Sequence, residues 1–236
     1  MNIYDQFKQT THPAEVNDYF HCFNACNILN VIYWREFFEI VRNVNGDIVE
    51  CGVGRARSLI TILALNRLYK SLESGYSRKV FGLDSFEGFP EPHIYDKSKR
   101  NPKKGEWGQS PNNQFKYTID SIKEVIKNAD LIESCTTDLK LVKGLIEDTT
   151  KVINVNKIAI LHLDCDLFQP TLSSLNNLWG KIEIGGIVVI DDYVENQNSH
   201  DDTFPGVRKA INEFRKSNKD HIYKISVRGT PYLLRT

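Results

Sequence analysis

Four aspartates just past two apolar runs carry the most chemical content in this sequence. IAILHLD (158–164) ends in Asp164, with Asp166 two residues on, and GGIVVIDD (185–192) ends in Asp191 and Asp192. If both runs are parallel neighbouring strands, their carboxylates converge at the carboxyl edge of one sheet, where open α/β sheets bind ligands. Clustered carboxylates repel and raise one another's pKa unless a cation or proton lies between them. An all-oxygen donor set without Cys or His favours a hard cation, Mg²⁺ first, with Ca²⁺ and Mn²⁺ as alternatives. Such an ion binds a substrate hydroxyl and stabilises its alkoxide. In the competing reading Asp191 or Asp192 caps the next segment, and Asp164 holds only a cofactor amine.

A second group lies earlier. VECGVGRARS (49–58) reads as a buried strand stopping at Glu50, a tight turn through Gly52 and Gly54, and a helix start near Ser58. That order holds a nucleotide-like cofactor in an open α/β sheet. A carboxylate at the strand tip repels a pyrophosphate and attracts a cationic amine, so Glu50 favours S-adenosylmethionine over NAD. Asp84 closes the next strand, KVFGLD (79–84), and can accept both ribose hydroxyls; a turn or cap role is the alternative. A nicotinamide-dependent oxidoreductase needs a third spaced glycine, where this chain has Arg57 or Ser58. A non-catalytic cofactor-binding scaffold is a further alternative.

These groups must be positioned by the rest of the chain. Apolar runs alternating with amphipathic stretches predict a Rossmann-like α/β fold: a mostly parallel seven-stranded sheet with helices on both faces. Strands are expected at 140–143, 158–164, 185–192, 221–227 and 231–234, besides those beginning near Ile48 and Lys79. Helices are expected at 115–129, through Leu172, Leu175 and Leu178, and through Val207, Ile211 and Phe214. Residues 1–45 read as a helical extension and 46–236 as the cofactor domain. Ile28, Val31, Ile32, Phe38 and Val41 recur at helical spacing in the extension. Residues 85–113 hold Pro90, Pro92, Pro102 and Pro111, the basic Lys97, Lys99, Arg100, Lys103 and Lys104, and no apolar period. They read as a lid in which Trp107 and Phe89 close over a substrate and the cations meet an anionic group.

The 236 residues carry 30 basic and 30 acidic side chains, so no broad nucleic-acid or membrane surface is expected. No apolar run reaches membrane-spanning length, and the start lacks a signal-like stretch. The five scattered cysteines read as reduced thiols in a cytoplasmic protein. Phe20, Phe23, Trp34 and Phe37 are candidates for contact with a second subunit in a homo-oligomer.

VECGVGRARS, GLDSFEGFP, VKGLIEDT, LHLDCDLFQPTLSSLNNLW, GGIVVIDDY and FPGVRKAINEF together resemble the macrocin O-methyltransferase family, in order, from about Glu50 to Phe214. The resemblance implies a metal-dependent class I methyltransferase acting on sugar hydroxyls of macrolides and related molecules. It implies that Glu50, Gly52 and Ser58 line the methionine end of S-adenosylmethionine, and that Asp84 and Ser85 hold the ribose and adenine side. Gly144, Glu147 and Asp148 fall near the adenine, and Asp164, Asp191 and Asp192 match the metal-binding acids. Related catechol-type enzymes carry a lysine shortly after the first metal aspartate, where this chain has Cys165, Asp166, Leu167 and Phe168. The expected proton acceptor is therefore Asp164 itself, with His200 as the second candidate. His162, on the face of Asp164, reads as a hydrogen-bonded histidine beside the core.

Overall fold

The computed structural model describes residues 25–109, 116–193 and 203–236. Five strands run parallel: β1 (Asp47–Cys51), β2 (Val80–Asp84), β3 (Leu139–Lys143), β4 (Ile158–Leu163) and β5 (Ile182–Ile190). β6 (His221–Ile225) and β7 (Pro231–Arg235) form a hairpin whose second strand pairs antiparallel with β5. The sheet order is β3-β2-β1-β4-β5-β7-β6. It reverses direction between β1 and β4, and the crevice outside their carboxyl ends is the ligand edge of such a sheet.

The two faces follow from the period of two along each strand. Val49, Cys51, Leu161 and Leu163 pack under α5 (Ile146–Val152), α6 (Phe168–Leu178) and α7 (Pro205–Ser217). Ile48, Ile160, Ile187 and Val189 pack under α1 (Ala25–Ile40), α2 (Arg57–Leu72) and α3 (Ile119–Asn128). β4 is buried along its whole length, which accounts for its unbroken apolar sequence. A short α4 (Ile132–Thr137) leads into β3. Among the described residues no helix is long and apolar enough to cross a membrane.

Three expectations are corrected in detail. α3 starts at Ile119, four residues later than 115, because Thr118 and Ser121 each accept the other's backbone N–H and set the cap. β5 begins at Ile182, before the glycine pair. The β4–β5 register slips between Ile158 and Ile160, and Gly185 takes φ +83° there, so the strand passes through an irregularity at Gly185-Gly186. α1 buries Tyr33, Trp34, Phe37, Phe38 and Val41 against the sheet and leaves Ile28, Val31 and Ile32 exposed. Trp34 and Phe37 are therefore core residues of this chain and not available to a second subunit. Phe20 and Phe23 lie outside the described residues.

The segment after β2 has no apolar period, yet among the described residues it forms an ordered strap. It doubles back on itself: the Phe89 N–H bonds to the Glu106 carbonyl and the Gly105 N–H to the Phe89 carbonyl, each at 2.9 Å. A Cβ on Gly88 would stand 2.4 Å from the Glu106 carbonyl oxygen, so only glycine allows this approach. The strap is docked by one buried carboxylate. Asp96 accepts from the Phe168 N–H at the start of α6 and from the His93 N–H, both at 2.7 Å. Polar groups of the strap itself take the place of a hydrophobic pattern. Asp96→Ala leaves the buried Phe168 amide and the part-buried His93 amide without acceptors and is expected to cost about 1–3 kcal/mol. Urea titration measures that loss, and faster tryptic cleavage within 97–104 reports the released strap.

Candidate active site

A pocket of about 310 Å³ opens at the carboxyl edge of the sheet, over β1, β2, β4 and β5. Its floor is the turn after β1, where Gly52, Gly54 and Ala56 all take positive φ (95°, 50° and 64°). The two glycines do different work. A Cβ on Gly52 would stand 1.8 Å from the backbone oxygen of Asp164, so this glycine lets the ends of β1 and β4 meet. A Cβ on Gly54 would meet nothing within 4 Å; it would project into open space in a residue that lines the pocket. Asp84 braces the turn: one carboxylate oxygen accepts from the N–H groups of Val53 (2.8 Å) and Gly54 (3.0 Å), the other from Phe86 (2.7 Å). Ser58, Ser85 and Glu147 also line the pocket. One Glu147 carboxylate oxygen is buried with no hydrogen-bond partner among the described residues.

The acids line the same pocket, at the ends of β4 and β5. Strand pairing continues through them: the Asp164 N–H bonds to the Cys51 carbonyl and the Asp191 N–H to the Leu163 carbonyl, both at 2.9 Å. Asp164, Asp166 and Asp192 each offer a carboxylate oxygen within 4.8 Å of the others'. The expected trio was Asp164, Asp191 and Asp192. The structure brings Asp166 into the mutual group, and Asp191 lines the same pocket without joining it. Asp166 and Asp192 reach these positions through left-handed backbone (φ +60° and +54°), which non-glycine residues rarely adopt. Burial, then the charge of Asp191, raises Asp164 well above the usual carboxylate range. Burial, then a hydrogen bond from its own carboxyl to Asp192, raises Asp166 likewise. Burial also raises Asp192, against the lowering effect of that same hydrogen bond. All three carboxyls thus bind a proton more tightly than they would in water.

Glu50 is placed differently from expectation. It is 1% exposed, is not among the pocket-lining residues, and pairs with His162 Nδ1 at 3.1 Å across the β1–β4 register. The Trp34 ring stands edge-on to His162 at 4.8 Å and seals the pair. Burial raises Glu50. For His162 burial alone lowers the pKa, but the Glu50 hydrogen bond and the charge of Asp164 outweigh it and hold it above its usual value. His162 lines the pocket, so Glu50 acts on it through the imidazole and, by its charge, on Asp164. Two other expected cofactor contacts also lie off the pocket lining. Gly144 takes φ +151° at the turn into α5, and Asp148 points its charge at Lys151 (3.3 Å) on the exposed side of that helix. His200 lies outside the described residues.

The sequence profile described as macrocin O-methyltransferase matches residues 36–232. The chain belongs to the macrocin O-methyltransferase family. It is 27% identical over 176 residues to a demethyldecarbamoylnovobiocin O-methyltransferase of Streptomyces niveus, covering 75% of this chain and 60% of that one. The chain thus spans about 60% of the length of that curated relative. The solved O-methyltransferase NovP superposes with a TM-score of 0.69 at 26% identity, over 89% of this chain and 80% of that one. The calicheamicin methyltransferase CalS11 gives a TM-score of 0.77 at 21% identity, over 98% and 89% of the two chains, a likeness of fold.

Several residues of this macrocin-family pocket escape a reading by motif. Tyr33 and Asn30 come from α1, Arg228 from the tip of the β6–β7 hairpin, and Phe204 from the start of α7. The Arg228 guanidinium lies 5.1 Å from the Tyr33 ring centre, which joins hairpin to helix. Arg100 stands among three pocket-lining rings, at 5.0 Å from Phe204, 5.4 Å from Phe89 and 5.7 Å from Trp107, and pairs with Glu106 at 2.8 Å. A cation within about 6 Å of an aromatic face is attracted to it, so Arg100 draws the strap and α7 together. Asn30, Tyr33, Phe204 and Arg228 are far apart in sequence and no motif joins them, whereas Arg100 belongs to the basic group already expected in the lid.

Proposed function

We propose that this chain is an S-adenosylmethionine- and Mg²⁺-dependent O-methyltransferase, acting in the cytoplasm on a hydroxyl of a sugar. The sugar is free, nucleotide-linked or part of a glycosylated small molecule. One observation carries this reading: a glycine turn with an open Cβ position and three mutually close, part-buried carboxylates line one pocket.

The residues fit both implied groups. Gly54 leaves room for the donor's body. One Asp84 oxygen already accepts two amide hydrogens, and the other, which accepts only the Phe86 N–H, keeps a lone pair for a ribose hydroxyl. The partnerless Glu147 oxygen suits an exocyclic amine. Asp164, Asp166 and Asp192, with Asp191 beside them, form an all-oxygen set whose protons a hard divalent cation can replace. When bound, the donor supplies an electrophilic methyl group, and the cation lowers the pKa of the hydroxyl it ligates. We take Asp164 as the acceptor of that hydroxyl's proton, with Asp166, which shares the carboxylate group, as the second candidate. Phe89, Trp107 and Phe204 exclude water and align the acceptor.

Incubation with S-adenosylmethionine, Mg²⁺ and a panel of sugar nucleotides and glycosides tests this. Methylated product that disappears with chelator and returns with Mg²⁺ or Mn²⁺ is expected. Cofactor binding without turnover of any hydroxyl acceptor would instead favour a scaffold. A second check is thermal stability against pH. The acids bind protons more tightly folded than unfolded, so stability of the metal-free protein falls as pH rises from the ordinary carboxylate range towards the raised native values. Added Mg²⁺ is expected to restore the melting temperature at pH 8 and to matter little at pH 5.

A further inference from the structure

A second cavity, of about 270 Å³, is lined entirely by residues of the strap. Pro90 lines the large pocket and Glu91 lines this one, so a single residue step separates the two linings. The outer cavity gathers Lys97, Lys103 and Lys104, together with His93 and Asn101. The chain as a whole is charge-balanced, with 30 residues of each sign, so this gathering is a local excess. The acids that face it do not cancel it. Both Asp96 oxygens are engaged by the amides of Phe168 and His93, and burial raises its pKa. Glu91 is then the one remaining carboxylate in the lining. His93 Nδ1 accepts the Tyr95 N–H, which leaves its Nε2 as a hydrogen donor. Pro92 and Pro102 border the cavity and fix the backbone that displays these groups, lowering the entropy lost when an anion is gripped.

We propose that this cavity binds the diphosphate of a nucleotide-linked acceptor, with the attached sugar reaching past the strap to the aspartates. This rests on the sugar O-methyltransferase reading above and narrows its acceptor to an anionic carrier. Ammonium groups and an imidazole N–H grip phosphate oxygens as point charges and donors, while a neutral glycoside gains nothing from them. The three lysines are solvent-exposed, so charge reversal leaves the fold intact.

The test pairs a binding and a kinetic readout on the intact protein and on the Lys97→Glu/Lys103→Glu/Lys104→Glu variant. Calorimetric titration with inorganic pyrophosphate needs no turnover. Binding by the intact protein, weakened about tenfold or more in the variant, is the expected result. Kinetically, KM for a dTDP-linked 6-deoxyhexose should rise by a similar factor in the variant. The kcat for that acceptor and the KM for its neutral methyl glycoside should hold. Pyrophosphate should compete with the nucleotide sugar in the intact enzyme only. Equal pyrophosphate affinity in the two proteins, no binding in either, or equal KM changes for charged and neutral acceptors would overturn the proposal. Methylation of the neutral glycoside alone would also overturn it while leaving the O-methyltransferase reading standing. Pyrophosphate binding without methylation of either acceptor would overturn the reading on which it rests.

Discussion

Asp192→Asn is expected to lower methyl transfer by about 10²–10³-fold or more while leaving S-adenosylhomocysteine binding largely unchanged. Asp192 sits in the mutual carboxylate group and accepts a hydrogen bond from Asp166. The amide keeps the volume and that hydrogen bond but removes the charge a divalent cation needs. The contacts proposed for the donor, Gly54, Asp84 and Glu147, are separate residues of the lining, so donor affinity is the internal control. Stability moves the opposite way. Removing one of several crowded carboxylates relieves repulsion, so metal-free Asp192→Asn should melt higher than the parent above pH 7. Rate, calorimetry and melting temperature together separate loss of the site from loss of the fold. A variant that turns over at the parental rate, equally indifferent to chelator, would remove the acid cluster from the mechanism.

The second large effect distinguishes the two glycines of the β1 turn. Gly52→Ala places a methyl 1.8 Å from the Asp164 carbonyl oxygen and forces φ +95° on a residue with a Cβ. The ends of two central strands must part, and a loss of at least about 3–5 kcal/mol is expected, enough to abolish soluble expression of a marginal domain. Gly54→Ala meets no atom and carries only the strain of φ +50°, about 1–2 kcal/mol. Its methyl enters the donor's space, so S-adenosylhomocysteine affinity should fall tenfold or more in a protein that still folds. Denaturant titration and calorimetry on the pair distinguish a structural from a ligand-facing glycine. Similar outcomes for the two would contradict that division.

The architecture was legible because each central strand is an apolar run ended by a glycine or an acid, a pattern that depends on local residues alone. Asp164, Asp191 and Asp192 could be placed at one edge from the strands that precede them. Asp166 could not be ranked among them, since its position depends on a left-handed backbone that no neighbouring glycine announces. Glu50 shows a related effect. It sits at a strand tip, but the period of two turns it to the α1 face, where one of its oxygens meets His162. The strap was unreadable as an ordered element because its order comes from Asp96, two backbone bonds and close approaches at glycine. None of these has a sequence period. Its length and prolines suggested a covering role, and its fixed shape is a property of the assembled sheet and helices.

The docking of that strap has a kinetic corollary. Asp96 accepts locally from His93, but it ties the strap to the body only once the first turn of α6 exists, and Gly206 must be packed beside it, with no Cβ to intervene, once α7 has settled. The strap therefore has nothing to hold until both helices have closed on the sheet, and it is the first element free to detach while they persist. Amide hydrogen exchange should show residues 88–106 opening at a lower free energy than β1 or β4. A partly opened molecule would then retain its donor crevice and lose its acceptor cover, so mild denaturant would silence transfer before it released the cofactor.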